Sequence, residues 1–182
     1  MNIPRMLRAV EAADRLDRPA ARLAASVRRV LGQGRVADWV RGSQLGHPVH
    51  PILVTLPIGA WSSAAALRIA GQSDGARRLV LIGLLATPAT VAAGLADFGD
   101  LDTYQRRVGL VHATANGVAA LLFSAAYLTR RDFTATVFGG AGLAAMGVGG
   151  ALGGHLSYAL GAGVHRWQKE AAPLDLSPAS VP

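Results

Sequence analysis

His47, His50, His112, His155 and His165 are the five imidazoles of this 182-residue chain, and with Asp97 they are its candidates for chemistry. Neutral imidazole is the commonest side-chain metal ligand and exchanges a proton near neutral pH. A carboxylate beside it either joins a ligand set or orients the ring by accepting its second N–H. His47-Pro48-Val49-His50-Pro51 puts a histidine before each of two prolines. A residue before proline avoids the helical region and prefers extended backbone. In a three-residue polyproline turn, positions 47 and 50 face the same way, and in a helical turn they also share a face. Further along, Thr87, Thr90, Gly94 and Asp97 follow helical spacing, Asn116 stands four residues after His112, and Tyr158 three after His155. Asn116 and Tyr158 are thus the expected outer partners of the two imidazoles.

Whether these groups meet depends on the elements that carry them. Uncharged runs of 17, 18, 22 and 22 residues fill 51–67, 79–96, 108–129 and 133–154, interrupted only by His112. A helix needs roughly 20 apolar residues to cross a bilayer, and about 17 is the lower limit. The spacing predicts transmembrane helices over 49–71, 77–98, 107–129 and 133–158, with Pro57 and Pro88 kinking the first two by freeing the Leu53 and Leu84 carbonyls. The short connections predict an up-down-up-down bundle. Direction reverses at each span. His50, Asp97, His112 and His155 are therefore expected at one depth, and polar groups inside membrane helices turn inward. On the fourth span Ala141, Ala145, Gly149 and Gly153, flanked by Gly142, Gly150 and Gly154, form a small-residue ridge for close helix packing, or for a flat cofactor between helices.

The fold expected is all-α, a polytopic four-transmembrane-helix bundle with an N-terminal amphipathic helical arm. Residues 1–41 form the arginine-rich arm, 42–166 the transmembrane domain and 167–182 a flexible tail. Apolar residues from Ile3 to Val30 recur at three- and four-residue spacing, opposite arginines and acids. Pro19 interrupts them, so two helices meeting near Arg18 are as well supported as one. Asp38-Trp39 suits a second short interfacial element. The arm holds nine arginines and no long apolar core, so no cleaved secretory signal is expected. Thirteen of the 18 basic residues fall on the side of the termini and five on the other. That bias places both termini in the cytoplasm and the chain in the plasma (inner) membrane. The net charge of +7 reads as retained arginine and attraction to anionic lipid rather than nucleic-acid binding.

No cysteine is present, which excludes disulfides, thiolate zinc sites and an iron–sulphur cluster held by this chain's own thiolates. No phosphate loop, nucleophile elbow or paired-carboxylate motif is found. Three readings remain. The histidines and Asp97 tie helix ends together in a non-catalytic membrane scaffold. Alternatively two imidazoles from facing helices, His112 and His155 above all, hold haem b. Or His47, His50, Asp97, His112 and His155 supply a bare divalent-metal or proton-handling site. His165, beyond the fourth span, is the weakest candidate.

Leu45-Gly46-His47-Pro48-Val49-His50-Pro51-Ile52-Leu53 with Leu56-Pro57-Ile58-Gly59, Ala96-Asp97, Arg106 to His112 with Asn116, and Gly153-Gly154-His155-Leu156-Ser157-Tyr158 closely resemble a family of uncharacterised bacterial four-helix membrane proteins. The resemblance covers residues 35–166, and relatives tend to carry an acid where this chain has Arg68. Actinobacterial relatives are often fused to, or partnered with, a Rieske iron–sulphur domain that continues past the position of Pro182. The resemblance implies a redox context: a small electron-transfer subunit with a haem or metal near the cytoplasmic face. The implied partners are the lipid bilayer, a separate Rieske-type or other redox protein, and further copies of the chain in a homo-oligomer.

Overall fold

A computed structural model describes residues 3–32, 34–164 and 166; His165 and the 167–182 tail lie outside them. The described residues form helices and turns, with no strand. The arm comprises α1 (Ile3–Glu11), a 3₁₀ turn (Asp14–Leu16), α2 (Asp17–Leu31) and α3 (Arg35–Arg41). The arm's first two helices meet just before Arg18, α2 starting at Asp17. Pro19 sits in the first turn of α2, where its missing N–H breaks no helical bond. The inward faces follow the apolar spacing: Leu7 and Val10 pack on Val108, Leu152 and Leu156, while Ala20 and Ala24 pack on Phe98 and Leu101.

Four helices are long and apolar enough to cross a membrane: Val49–Ile69, Ser73–Phe98, Thr103–Leu128 and Asp132–Ala159. The first is divided at Val54 into α4 (Val49–Leu53) and α5 (Thr55–Ile69). Pro57 cannot bond the Leu53 carbonyl, and the Thr90 hydroxyl stands 3.4 Å from that oxygen. The second, α6 (Ser73–Phe98), runs through Pro88 without a break. The third, α7 (Thr103–Leu128), starts one turn earlier than the charge pattern suggests. Asp102 and Gln105 close a reciprocal capping box there. The fourth is α8 (Asp132–Gly154), continued by a π turn (His155–Ala159).

The bundle is apolar outside and small-residue inside, as packing without a hydrophobic drive requires. Leu85, Leu121, Leu128 and Phe133 are more than 70 % exposed, whereas Ala60, Ala64, Ala93, Ala96, Ala119 and Ala126 are buried. At the centre Trp61 of α5 stacks on Phe123 of α7, ring centroids 4.2 Å apart. The glycine stripe of α8 is rotated from the expected ridge. Gly142, Gly149 and Gly153 face Phe123, Asn116 and His112, while Ala141 is exposed and Gly150 and Gly154 meet nothing.

Candidate functional site

Gly42 starts the site. It ends α3 at φ +106, and a Cβ there would stand 2.0 Å from the His47 carbonyl oxygen, so only glycine lets the chain fold back into the His-Pro segment. Pro48 then takes extended backbone as the residue before α4. His50 falls in the first turn of α4, half-buried, while His47 stays outside and exposed. The two histidines do not point together as the repeat suggests, because helix begins between them.

The His50 ring enters a slot in α6. Its Nδ1 is 3.0 Å from the Thr90 carbonyl oxygen, and a Cβ on Gly94 would meet the ring at 2.9 Å. The His112 ring enters a matching slot in α8. Its Nδ1 is 2.8 Å from the Gly149 carbonyl oxygen, and a Cβ on Gly153 would meet the ring at 2.9 Å. A backbone carbonyl can only accept, so each Nδ1 donates to it, and in a neutral ring Nε2 is the nitrogen with the lone pair. The two imidazoles meet edge to face, with centroids 6.1 Å apart and planes at 86°. Asn116 donates from Nδ2 to the His112 carbonyl, and the same nitrogen is 3.3 Å from both ring nitrogens. Equal distances put the amide across the ring face and not along either lone pair.

The remaining expected residues lie elsewhere. His155 Nε2 is 2.6 Å from Glu11 Oε1 of the arm. Asp97 pairs with Arg166, not with an imidazole N–H, because backbone carbonyls already accept those protons. Tyr158 is 95 % exposed. It belongs to a π turn, whose wider repeat removes the shared face that three-residue spacing gives in an α-helix. Among the described residues no three His, Asp or Glu side chains gather in a way that could hold a metal ion. Of the five residues expected to hold a metal, His50 and His112 form a close pair.

A repeat unnoticed in the sequence underlies that pair. His50 and Trp61 are eleven residues apart, as are His112 and Phe123; Gly83 and Gly94 are eleven apart, as are Gly142 and Gly153. Each partnership recurs: Trp61 fills the slot at Gly83 as Phe123 fills that at Gly142. Equivalent residues also meet each other, His50 with His112 and Trp61 with Phe123. That is the signature of an approximate two-fold axis between the α4–α6 and α7–α8 hairpins. Both hairpins begin at the same end, so the axis runs along the bundle, as in parallel membrane repeats.

Residues 46–166 match a family model described as a predicted membrane protein, DUF2231. No curated protein and no solved structure matches.

Proposed function

This chain belongs to the DUF2231 family of predicted membrane proteins, and we propose that it is a small electron-transfer subunit of the plasma membrane whose His50–His112 pair binds haem b. The observation that carries the reading is the opposed pair itself. Two imidazoles brought together from separate helices are the kind of side-chain pair from which bundle cofactor sites are built. The rings stand 6.1 Å apart, on separate helices, with each Nδ1 fixed by a backbone carbonyl. Fixing the outer nitrogen is how proteins orient a ligating histidine. A bare zinc asks for three or four protein ligands. Haem iron needs no more than two side-chain ligands, so two imidazoles suit it better.

Bound there, haem would supply a one-electron Fe(III)/Fe(II) couple. The chain's own part is to hold the two rings, each Nδ1 on a carbonyl of a neighbouring helix. Thirteen basic residues on the side of the termini support a cytoplasmic orientation. A separate Rieske-type or other redox protein would then exchange electrons from that side.

The test is the visible spectrum of the purified full-length protein, with haem and metal content per chain. The expected result is a Soret band and a sharp α-band on reduction, both lost in His50→Ala and in His112→Ala and retained in His155→Ala. A colourless protein carrying stoichiometric metal would replace haem by a bare centre. A second reading rests on the backbone bonds and glycine slots: each imidazole ties two helices together and the protein is a non-catalytic scaffold. Colourless, metal-free protein, with His50→Ala and His112→Ala losing stability alone, would establish that reading instead.

A further inference from the structure

The arm covers one end of the bundle, and its outward side is strongly basic. Arg8, Arg15, Arg18, Arg22, Arg29 and Arg35 are all exposed. Where α2 crosses the start of α7, a cleft of about 250 Å³ is lined by Asp17, Ala20, Ala21, Thr103 and Arg106. Arg106 Nε is shielded from solvent and has no hydrogen-bond partner. Arg106 lines the cleft, and its guanidinium charge favours an anionic acceptor there. The acid of the cleft does not compete, because Asp17 is held in a two-pronged ion pair by Arg107, Nε to Oδ1 at 2.6 Å and Nη2 to Oδ2 at 2.8 Å. Beside the cleft a second depression is lined by Asp14, Arg15, Asp17 and Arg18. Summed over both, arginine outweighs aspartate.

Depth decides what the acceptor is. Thr103 and Arg106 belong to the first turn of a membrane-spanning helix, and α1 docks on Val108, Leu152 and Leu156, which lie inside the spans. The cleft therefore opens at the level of the lipid headgroups. The arm also exposes Met6, Val30, Val36 and Trp39, each more than half accessible, next to its arginines. Basic residues beside apolar ones and a tryptophan are the composition of a helix seated at a membrane interface. We infer that the α2–α7 cleft binds the phosphate of an anionic phospholipid, with Arg106 and Thr103 as its donors and with Arg18 and Arg15 adding positive charge from the adjoining depression.

The test is native mass spectrometry of the full-length protein in neutral detergent with phosphatidylglycerol or phosphatidylcholine of equal chain length. Phosphatidylglycerol should be retained preferentially. Each arginine near a charged lipid surface is worth about fivefold in binding, so Arg106→Gln and Arg18→Gln should each weaken retention by about that factor. Arg130→Gln, at the opposite end, should not. Helical circular dichroism checks the fold, and Arg18, exposed on α2, keeps the test decisive where Arg106→Gln unfolds. Equal retention of the two lipids would overturn the inference. So would wild-type retention in Arg18→Gln and a folded Arg106→Gln, or displacement of the lipid by millimolar inorganic phosphate.

Discussion

At the scale of single residues, the glycines opposite the imidazoles are as decisive as the imidazoles. Gly94 and Gly153 each leave room for a ring that a Cβ would strike at 2.9 Å. Both lie in regular helix, so alanine there is strained by contact and not by backbone. Gly94→Ala and Gly153→Ala are expected to push the ring off its carbonyl. The cost should be about 1–3 kcal/mol, the usual penalty of overpacking, with loss of any centre the ring helps to hold. Gly147→Ala, which meets nothing within 4 Å, should be neutral or slightly stabilising through helix propensity. Denaturant unfolding in detergent together with bound cofactor per chain measures both effects, and a cofactor-replete Gly94→Ala would contradict the slot. Asn116 faces a similar constraint. A Cβ on Gly149 would stand 2.5 Å from its amide oxygen, so Gly149→Ala should disturb His112 indirectly.

Elements show how the arm is fastened. Arg107 reaches out of α7 to Asp17 and to the Glu11 carbonyl, His155 reaches Glu11, and Arg28 bonds the Gly99 carbonyl. Arg41, only 6 % exposed, joins α3 to the Ala96 carbonyl and Asp100. The hydrogen bond from Arg107 holds the Asp17 carboxyl below its ordinary value of 3.8. A carboxyl whose folded value is depressed contributes stability that is complete above the unfolded value and is lost as pH falls through the folded one. The arm should therefore stay docked through neutral and mildly acid pH, and this tie should fail only below about pH 4. Hydrogen exchange of α1 and α2 amides against pH reads this out. Arg107→Gln should raise exchange at neutral pH and remove the part of the acid dependence that Asp17 carries. An unchanged profile in that variant would mean that the apolar contacts of Leu7, Val10, Ala20 and Ala24 hold the arm alone.

The whole molecule is two similar hairpins around an axis, and its two central aromatic pairs differ in what they stabilise. The Trp61–Phe123 stack is the packed centre, and the Trp61 indole N–H donates to the Val80 carbonyl at 3.2 Å. Truncating either ring to alanine should cost about 3–5 kcal/mol. The reciprocal exchange Trp61→Phe with Phe123→Trp conserves total volume, and should lose much less than the two alanine variants together, as equilibrium unfolding would show. Topology is a second prediction at this scale. Reporter fusions at Ser73 and Arg131 should fall on one side of the membrane, and fusions at residue 2, Asp102 and residue 182 on the other, in the cytoplasm. Asp102 and Ser73 reporting the same side would dismantle the four-span arrangement and scatter the histidines.

The sequence alone determined the class of the molecule. Long uncharged runs, short polar turns and an amphipathic arginine-rich start are one-dimensional signals, and four membrane-length helices with a helical arm follow from them. The same logic located His50 and His112 among the candidates, and Asn116 beside His112, because four-residue spacing on a helix is geometry. Tertiary structure decided which candidates meet. Spacing gives the depth of a residue along its helix but not the rotation of that helix about its axis. Rotation is fixed by which glycines accept which rings, and so His50 and His112 face each other while His155 and Asp97 turn to Glu11 and Arg166. The recurrent eleven-residue intervals were present in the chain throughout. They carry meaning only once packing shows that His50 fits Gly94 as His112 fits Gly153, since spacing between residues on different helices encodes contact only through the fold.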